Sequence, residues 1–236
     1  MFAIAGRELG SYFKSFVTYV VLALFLVVIG VVFSLVVLNT FATDPRQLVF
    51  DPMYLVLLLM TPLMTMRLVA EERRTGTIEL VLTSPVRDWE LVLGKFLGGM
   101  GFFTAGIVGT FFYPLVLLMF ATPDVGILLS GYLGIILFAG AAVSIGLMAS
   151  TLTSNQIIAA ASSFALLILL GFGLIEYTGD LFGPEVGGAT RYAALFTHFG
   201  DFGKGILETS NVVYFLSVIA VSLFIATRAL EARRWR

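Results

Sequence analysis

The stretch VGILLSGYLGIILFAGAAVSIGLMASTLTSNQIIAAASSFALLILLGFGLI, residues 125–175, runs for 51 residues without Asp, Glu, Lys or Arg. A helix needs ~20 mostly apolar residues to cross a bilayer core, so this run holds two crossings. The polar sequence Thr151-Leu152-Thr153-Ser154-Asn155-Gln156 supplies the turn between them. Working outward, four more uncharged runs occur at 15–43, 52–66, 96–123 and 209–227. Together they predict an all-α membrane protein, a single domain over 1–236, with six spans near 16–38, 52–70, 95–121, 126–149, 155–177 and 210–230.

Composition agrees: 59% of residues are hydrophobic and 12% charged, against ~45–50% and ~25% in soluble domains. Six spans leave no room for a separate soluble catalytic domain. A net charge of −1 offers no basic face for nucleic acid. With no cysteine, thiolate zinc sites, disulfides and cysteine nucleophiles are excluded.

Orientation follows from Lys and Arg, which accumulate on cytoplasmic segments near span ends. With six spans, one side carries Arg7, Lys14, Arg67, Arg73, Arg74, Arg87, Lys95, Arg228, Arg233, Arg234 and Arg236, and the other only Arg46, Arg191 and Lys204. Both termini are then cytoplasmic, with Trp89 and Trp235 at that interface. The second run, 52–66, is the shortest; were it only to dip into the bilayer, five spans would give ten against four and the reverse orientation. Six is preferred because Asp51 and Arg67 can snorkel at its ends. Ahead of the first span, Phe2, Ala5, Leu9, Phe13 and Phe16 recur at helical spacing, with Arg7, Glu8, Ser11, Lys14 and Ser15 opposite. That pattern predicts a helix lying in the membrane surface. The first run far exceeds a signal-peptide core and lacks a clear cleavage site, so it reads as a retained span.

The predicted span cores contain no ionisable residue, which removes the usual machinery of ion-coupled transport and intramembrane proteolysis. A channel could be lined by hydroxyls and backbone, but the chain lacks a repeated filter-like segment. Small-xxx-small pairs such as Gly94/Gly98, Gly101/Ala105 and Gly140/Ser144 read as close helix packing within one subunit, and Pro62 predicts a kink in the second span. The only histidine, His198, and Asp201 share a helix face, so a metal or substrate contact is one reading and an interfacial aromatic helix over 192–202 with a solvated face the preferred one, while Glu176 at the outer end of the fifth span either lines an exit mouth or marks a helix end at the headgroups.

The segment between spans two and three runs from Arg67 to Lys95. Gly76 ends one helix, 78–82 forms a short apolar helix, Ser84-Pro85 turns the chain, and Asp88 is placed to cap the third span. A short apolar helix between charged clusters suits docking by another protein, while arginines holding a solvated loop to lipid headgroups is the equally simple alternative.

Glu71-Glu72, Gly76-Thr77-Ile78-Glu79-Leu80, Thr83-Ser84-Pro85-Val86 and Leu93-Gly94-Lys95 resemble the signature of type-2 ABC transporter permeases. Within that superfamily the chain is most similar to the gliding-motility-associated and nitrous-oxide-reductase-maturation permeases. The resemblance implies a six-span exporter subunit that pairs with a second permease copy or paralogue and sits on separate ABC ATPase subunits. ATP and Mg would bind those subunits, and this chain would hold no cofactor and catalyse nothing. Glu71, Glu72, Gly76, Thr77, Ile78, Glu79, Leu80, Leu82 and Pro85 would form the ATPase-coupling segment, centred on a coupling helix. Arg7 and Phe13 would belong to the interfacial helix beside it, and short outer helices over 179–211 would precede the last span. The location implied is a bacterial or archaeal plasma membrane. The alternative is a channel or scaffold that anchors partners without ATP coupling. Gly94-Lys95 and Gly203-Lys204 lack the spacing of a phosphate-binding loop, so ATP would bind elsewhere.

Overall fold

The structure, a computed structural model, describes residues 1–40, 44–77, 87–120, 123–171 and 192–234, and every regular element among them is helical. In chain order these are α1 (Phe2–Lys14), α2 (Phe16–Thr40), a π-helical turn (Arg46–Phe50), α3 (Asp51–Thr65), α4 (Arg67–Arg74), α5 (Asp88–Gly109), α6 (Phe112–Phe120), α7 (Val125–Leu152), α8 (Gln156–Gly171), α9 (Leu195–Phe202) and α10 (Thr209–Arg234). Five helical stretches are long and apolar enough to cross a membrane: Phe16–Leu38, Arg46–Arg74, Asp88–Phe120, Val125–Leu152 and Thr209–Ala232. The expected fifth span appears as the 16-residue α8, and the remainder of 155–177 lies outside the described residues.

The core is organised around α7, whose small residues let neighbours approach closely. Gly131 faces Phe50, Gly134 faces Phe202 and Gly140 faces Ile219, while Gly146 meets Thr65 so tightly that no Cβ fits there. Aromatic rings fill the space between: Tyr54 lies 4.2 Å from Phe138 and 4.9 Å from Phe199, centroid to centroid. In lipid this packing stabilises through van der Waals contact rather than release of water. The Ser130 hydroxyl donates to the Phe202 carbonyl at 2.8 Å and fixes α9 against α7. The expected turn after α7 is present, with Asn155 Oδ1 accepting the Ile157 N–H at 2.9 Å at the start of α8.

Two spans expected to be single helices are broken, each for a local reason. The third divides into α5 and α6 at Thr110-Phe111. Pro114 has no N–H for the Thr110 carbonyl four residues back. That carbonyl instead accepts the Tyr113 N–H at 3.0 Å and the Tyr132 hydroxyl at 3.1 Å.

The second span contains Pro62 as expected, but its break comes one turn later, at Met66 between α3 and α4. The first N–H groups of a helix lack partners within it, and Met66 contributes no side-chain cap. Ser150 of α7 caps in trans. Its Oγ accepts the N–H groups of Val69 and Ala70, both at 3.0 Å, and its hydroxyl donates to the Met66 carbonyl at 3.0 Å. A side chain inserted into the backbone ladder is a recognised cause of sharp bends. Ser150→Ala is therefore expected to cost about 1–3 kcal/mol, because it leaves buried backbone groups unpaired. Thermal unfolding in detergent reads this, and an unchanged midpoint would show that the elbow does not depend on the hydroxyl.

Candidate functional site: the joint of α1, α4 and α5

The interfacial helix α1 rests on α5 because α5 presents glycine where the two cross. A Cβ at Gly94 would lie 2.8 Å from the Ile4 Cβ, one at Gly98 2.5 Å from the Glu8 Cβ, and one at Gly101 2.8 Å from the Leu9 Cδ1. The small-residue spacing thus serves contact within one chain. Phe2 and Phe16 stay exposed, so the apolar stripe expected from sequence is only partly the face that docks. Glu8, expected on the solvated side, turns toward the protein.

What it meets is Lys95, whose side chain is 1% exposed. Lys95 Nζ lies 3.0 Å from Glu8 Oε1 and 2.9 Å from Glu72 Oε1, the two carboxylate side chains being 14% and 20% exposed. Arg7 Nη2 approaches the same atoms at 3.3 and 3.6 Å. One ammonium therefore ties α1, α4 and α5 together. A buried ammonium without such partners would lose its charge or cost several kcal/mol. Lys95, at the start of the expected third span, is inside the protein because α1 folds back over it.

Tyr12 strengthens the same seam. Its ring stacks on Phe102 at 5.2 Å, and its hydroxyl donates to the Met64 carbonyl at 3.1 Å. Burial, and secondarily the Glu8 carboxylate, push the phenol far above its ordinary range, so it stays a neutral donor. On its other side α4 buries Leu68, Val69 and Ala70, the first two in a cluster with Leu91, Val92, Leu147, Ala226 and Leu230. Arg73 Nη1 donates to the Thr153 carbonyl at 3.4 Å, linking α4 to the turn after α7.

The expected coupling residues fall into two groups. Glu72 is in the joint, and Glu71 lines a cleft beside it. Gly76, at φ 73°, adopts the left-handed conformation that ends α4 as expected. Thr77 caps the helix, donating to the Glu72 carbonyl at 3.3 Å, and Thr75 donates to the Glu71 carbonyl at 3.0 Å. Ile78, Glu79, Leu80, Leu82 and Pro85 lie outside the described residues, as does Glu176. α5 is preceded by Arg87, not Asp88, at its N-cap, with Glu90 Oε2 accepting the Arg87 N–H at 3.1 Å. Phe13 is half-buried, and its carbonyl accepts the Tyr19 hydroxyl at 2.8 Å.

His198 is buried and fully engaged. Its ring stacks on Tyr214 at 3.9 Å, Nδ1 lies 2.6 Å from Asn211 Oδ1, and Nε2 lies 2.8 Å from the Tyr192 carbonyl. Asn211 Nδ2 donates to Asp201 Oδ2 at 3.2 Å. His198 and Asp201 are thus joined through an amide, a structural network fastening α9 to α10.

Glu8 and Lys95 were not among the expected site residues, although Lys95 closes the Leu93-Gly94-Lys95 motif and Glu8 was placed on the solvated face of α1. Their signal was present: Glu8 falls between Ile4 and Tyr12 at four-residue steps, and Lys95 sits between Gly94 and Gly98, at the helical period that admits a second helix.

Residues 31–235 match the family of ABC-2 family transporter proteins. The chain belongs to that family. It is accordingly a multi-pass membrane protein and the permease subunit of an ABC transporter, a class whose membrane subunits lack ATPase domains and generally pair with ABC ATPase subunits. In this permease Glu72 and Lys95 fall inside the matched region, whereas Glu8 precedes it. Among curated proteins, none matches the chain.

Proposed function

We propose that this permease is the membrane half of an ATP-driven exporter, with six spans, both termini in the cytoplasm and ATP hydrolysis, with Mg, on separate subunits gripping the segment 71–90. Two permease chains flank the pathway, since six helices alone enclose little space. Glu71, Glu72, Gly76, Thr77, Ile78, Glu79, Leu80, Leu82 and Pro85 form the coupling segment. The likeness to the gliding-motility-associated and nitrous-oxide-reductase-maturation permeases is the nearest guide to its subgroup, and the membrane is a bacterial or archaeal plasma membrane.

The observation that carries this reading is the buried ammonium of Lys95 between Glu8 and Glu72. Residues 78–86 connect directly to α4 on one side and α5 on the other. A force applied there acts on two helices joined by an ion pair and, through Glu8, on α1. With no ionisable group recognised in the span cores from sequence, the driving force enters from a partner at this end.

Replacing Leu80 and Leu82 together with Asp is expected to abolish recovery of an ATPase subunit with the tagged permease while membrane insertion persists. Retention of the ATPase by the double variant would favour the scaffold reading, as would failure of the unaltered complex to yield any ATPase.

A further inference from the structure

Between the start of α2, the end of α3 and the α1–α4 joint lies a cleft of about 630 Å³, within the ~300–1,000 Å³ typical of small-molecule sites. One wall is apolar, made by Val17, Val21, Leu63 and Met64. Val17 and Leu63 are exposed at 48% and 55%, so this wall opens onto the surface beside two candidate spans. The other wall is charged and balanced, with Arg7, Arg67 and Lys95 against Glu8, Glu71 and Glu72.

Four of these charges, Arg7, Lys95, Glu8 and Glu72, are paired in the joint, and two are not. Arg67 and Glu71 stand one helical turn apart on α4 and line the same cleft, yet among the described residues neither side chain makes a hydrogen bond or ion pair. Glu72 gives Oε1 to Lys95, while its Oε2 is buried with no hydrogen-bond partner.

We propose that this cleft holds the headgroup of a phosphatidylethanolamine molecule from the leaflet in which α1 lies. The phosphate takes the Arg67 guanidinium, with Arg7 at the rim, and the primary ammonium donates to Glu71. The acyl chains follow Leu63 and Val17 into the bilayer. The chemistry selects among headgroups. A zwitterion preserves the neutrality of the site, whereas phosphatidylglycerol adds an uncompensated negative charge. A quaternary ammonium has no N–H, so phosphatidylcholine leaves the Glu71 carboxylate without a hydrogen bond. Guanidinium recognises phosphate through paired donors, which a substitution to glutamine removes.

The test is native mass spectrometry of the full-length permease in detergent, offered equal concentrations of phosphatidylethanolamine, phosphatidylcholine and phosphatidylglycerol. Phosphatidylethanolamine is expected to be retained at least tenfold over either competitor, and free phosphoethanolamine at the same concentration is expected to compete weakly, since it lacks the chains. Arg67→Gln, at an exposed position, and Glu71→Gln are each expected to reduce retention at least tenfold with an unshifted melting midpoint. Equal retention of the three lipids, or undiminished retention by both variants, would overturn the proposal. Because no ATPase enters the measurement, its failure is separable from failure of the exporter reading.

Discussion

Replacing Lys95 with methionine is expected to destabilise the permease by about 3–5 kcal/mol, the range for removing one partner of a buried ion pair. The loss is not of attraction alone. Glu8 and Glu72 would face one another, mostly buried, with only the largely exposed Arg7 guanidinium, 3.3 and 3.6 Å from the same two oxygens, left to offset them. For a chain of this size, at ~2–4 °C per kcal/mol, the melting midpoint in detergent should fall by roughly 10 °C. The triple variant Glu8→Gln, Lys95→Met, Glu72→Gln is expected to recover most of that loss, because exchanging a whole buried ionic cluster for neutral groups is often neutral. Stability and transmission can then be told apart. If the ammonium couples α4 to α1, the triple variant melts near the unaltered midpoint yet supports little ATP-dependent transport. A single Lys95→Met variant with an unchanged midpoint would show that the cluster carries no net structural role.

The second large effect concerns the seat of α1. Gly98→Ile is expected to lift α1 off α5, since a Cβ alone would fall 2.5 Å from the Glu8 Cβ and backbone lies close behind, with Ala5 O at 3.3 Å. Overpacking of this kind costs about 1–3 kcal/mol, and here it also separates Glu8 from Lys95. The readout is direct because the chain has no cysteine of its own. A cysteine introduced at Ser11, together with the trypsin sites Arg7 and Lys14, reports whether α1 is docked. Faster cleavage at those sites in Gly98→Ile is the expected result, whereas unchanged proteolysis would mean that α1 is held by the bilayer rather than by α5.

How much of this was legible in the sequence depends on the range of the cause. Five of the six expected spans were legible as long apolar helices because apolar composition is a local property that a bilayer reads directly. The division of the third span was also local, since Pro114 deprives Thr110 of a donor, but an uncharged run of 28 residues reads as one helix unless each proline is weighed. The elbow at Met66 was not legible, because the hydroxyl that caps α4 belongs to Ser150, 81 residues beyond Val69. Likewise Lys95 at the start of an apolar run is indistinguishable from a snorkelling lysine until α1 is known to lie across it. Conversely, Gly76 was legible as the end of a helix, and the structure places it after α4 with threonine caps from Thr75 and Thr77, while the lysine that fastens α4 went unseen.

Synthesis order gives the joint a further property. Glu8 leaves the ribosome first, Glu72 follows, and the cation that both require comes 87 residues after Glu8. Until Lys95 has emerged, the nascent amino-terminal segment carries a carboxylate that water must keep solvated, so α1 waits at the headgroups while the two candidate spans ahead of α5 are threaded. Its docking is therefore a late event, completed only after the first 95 residues have taken up register, and a truncated or mis-threaded intermediate presents a loose amino terminus for quality-control proteases to seize.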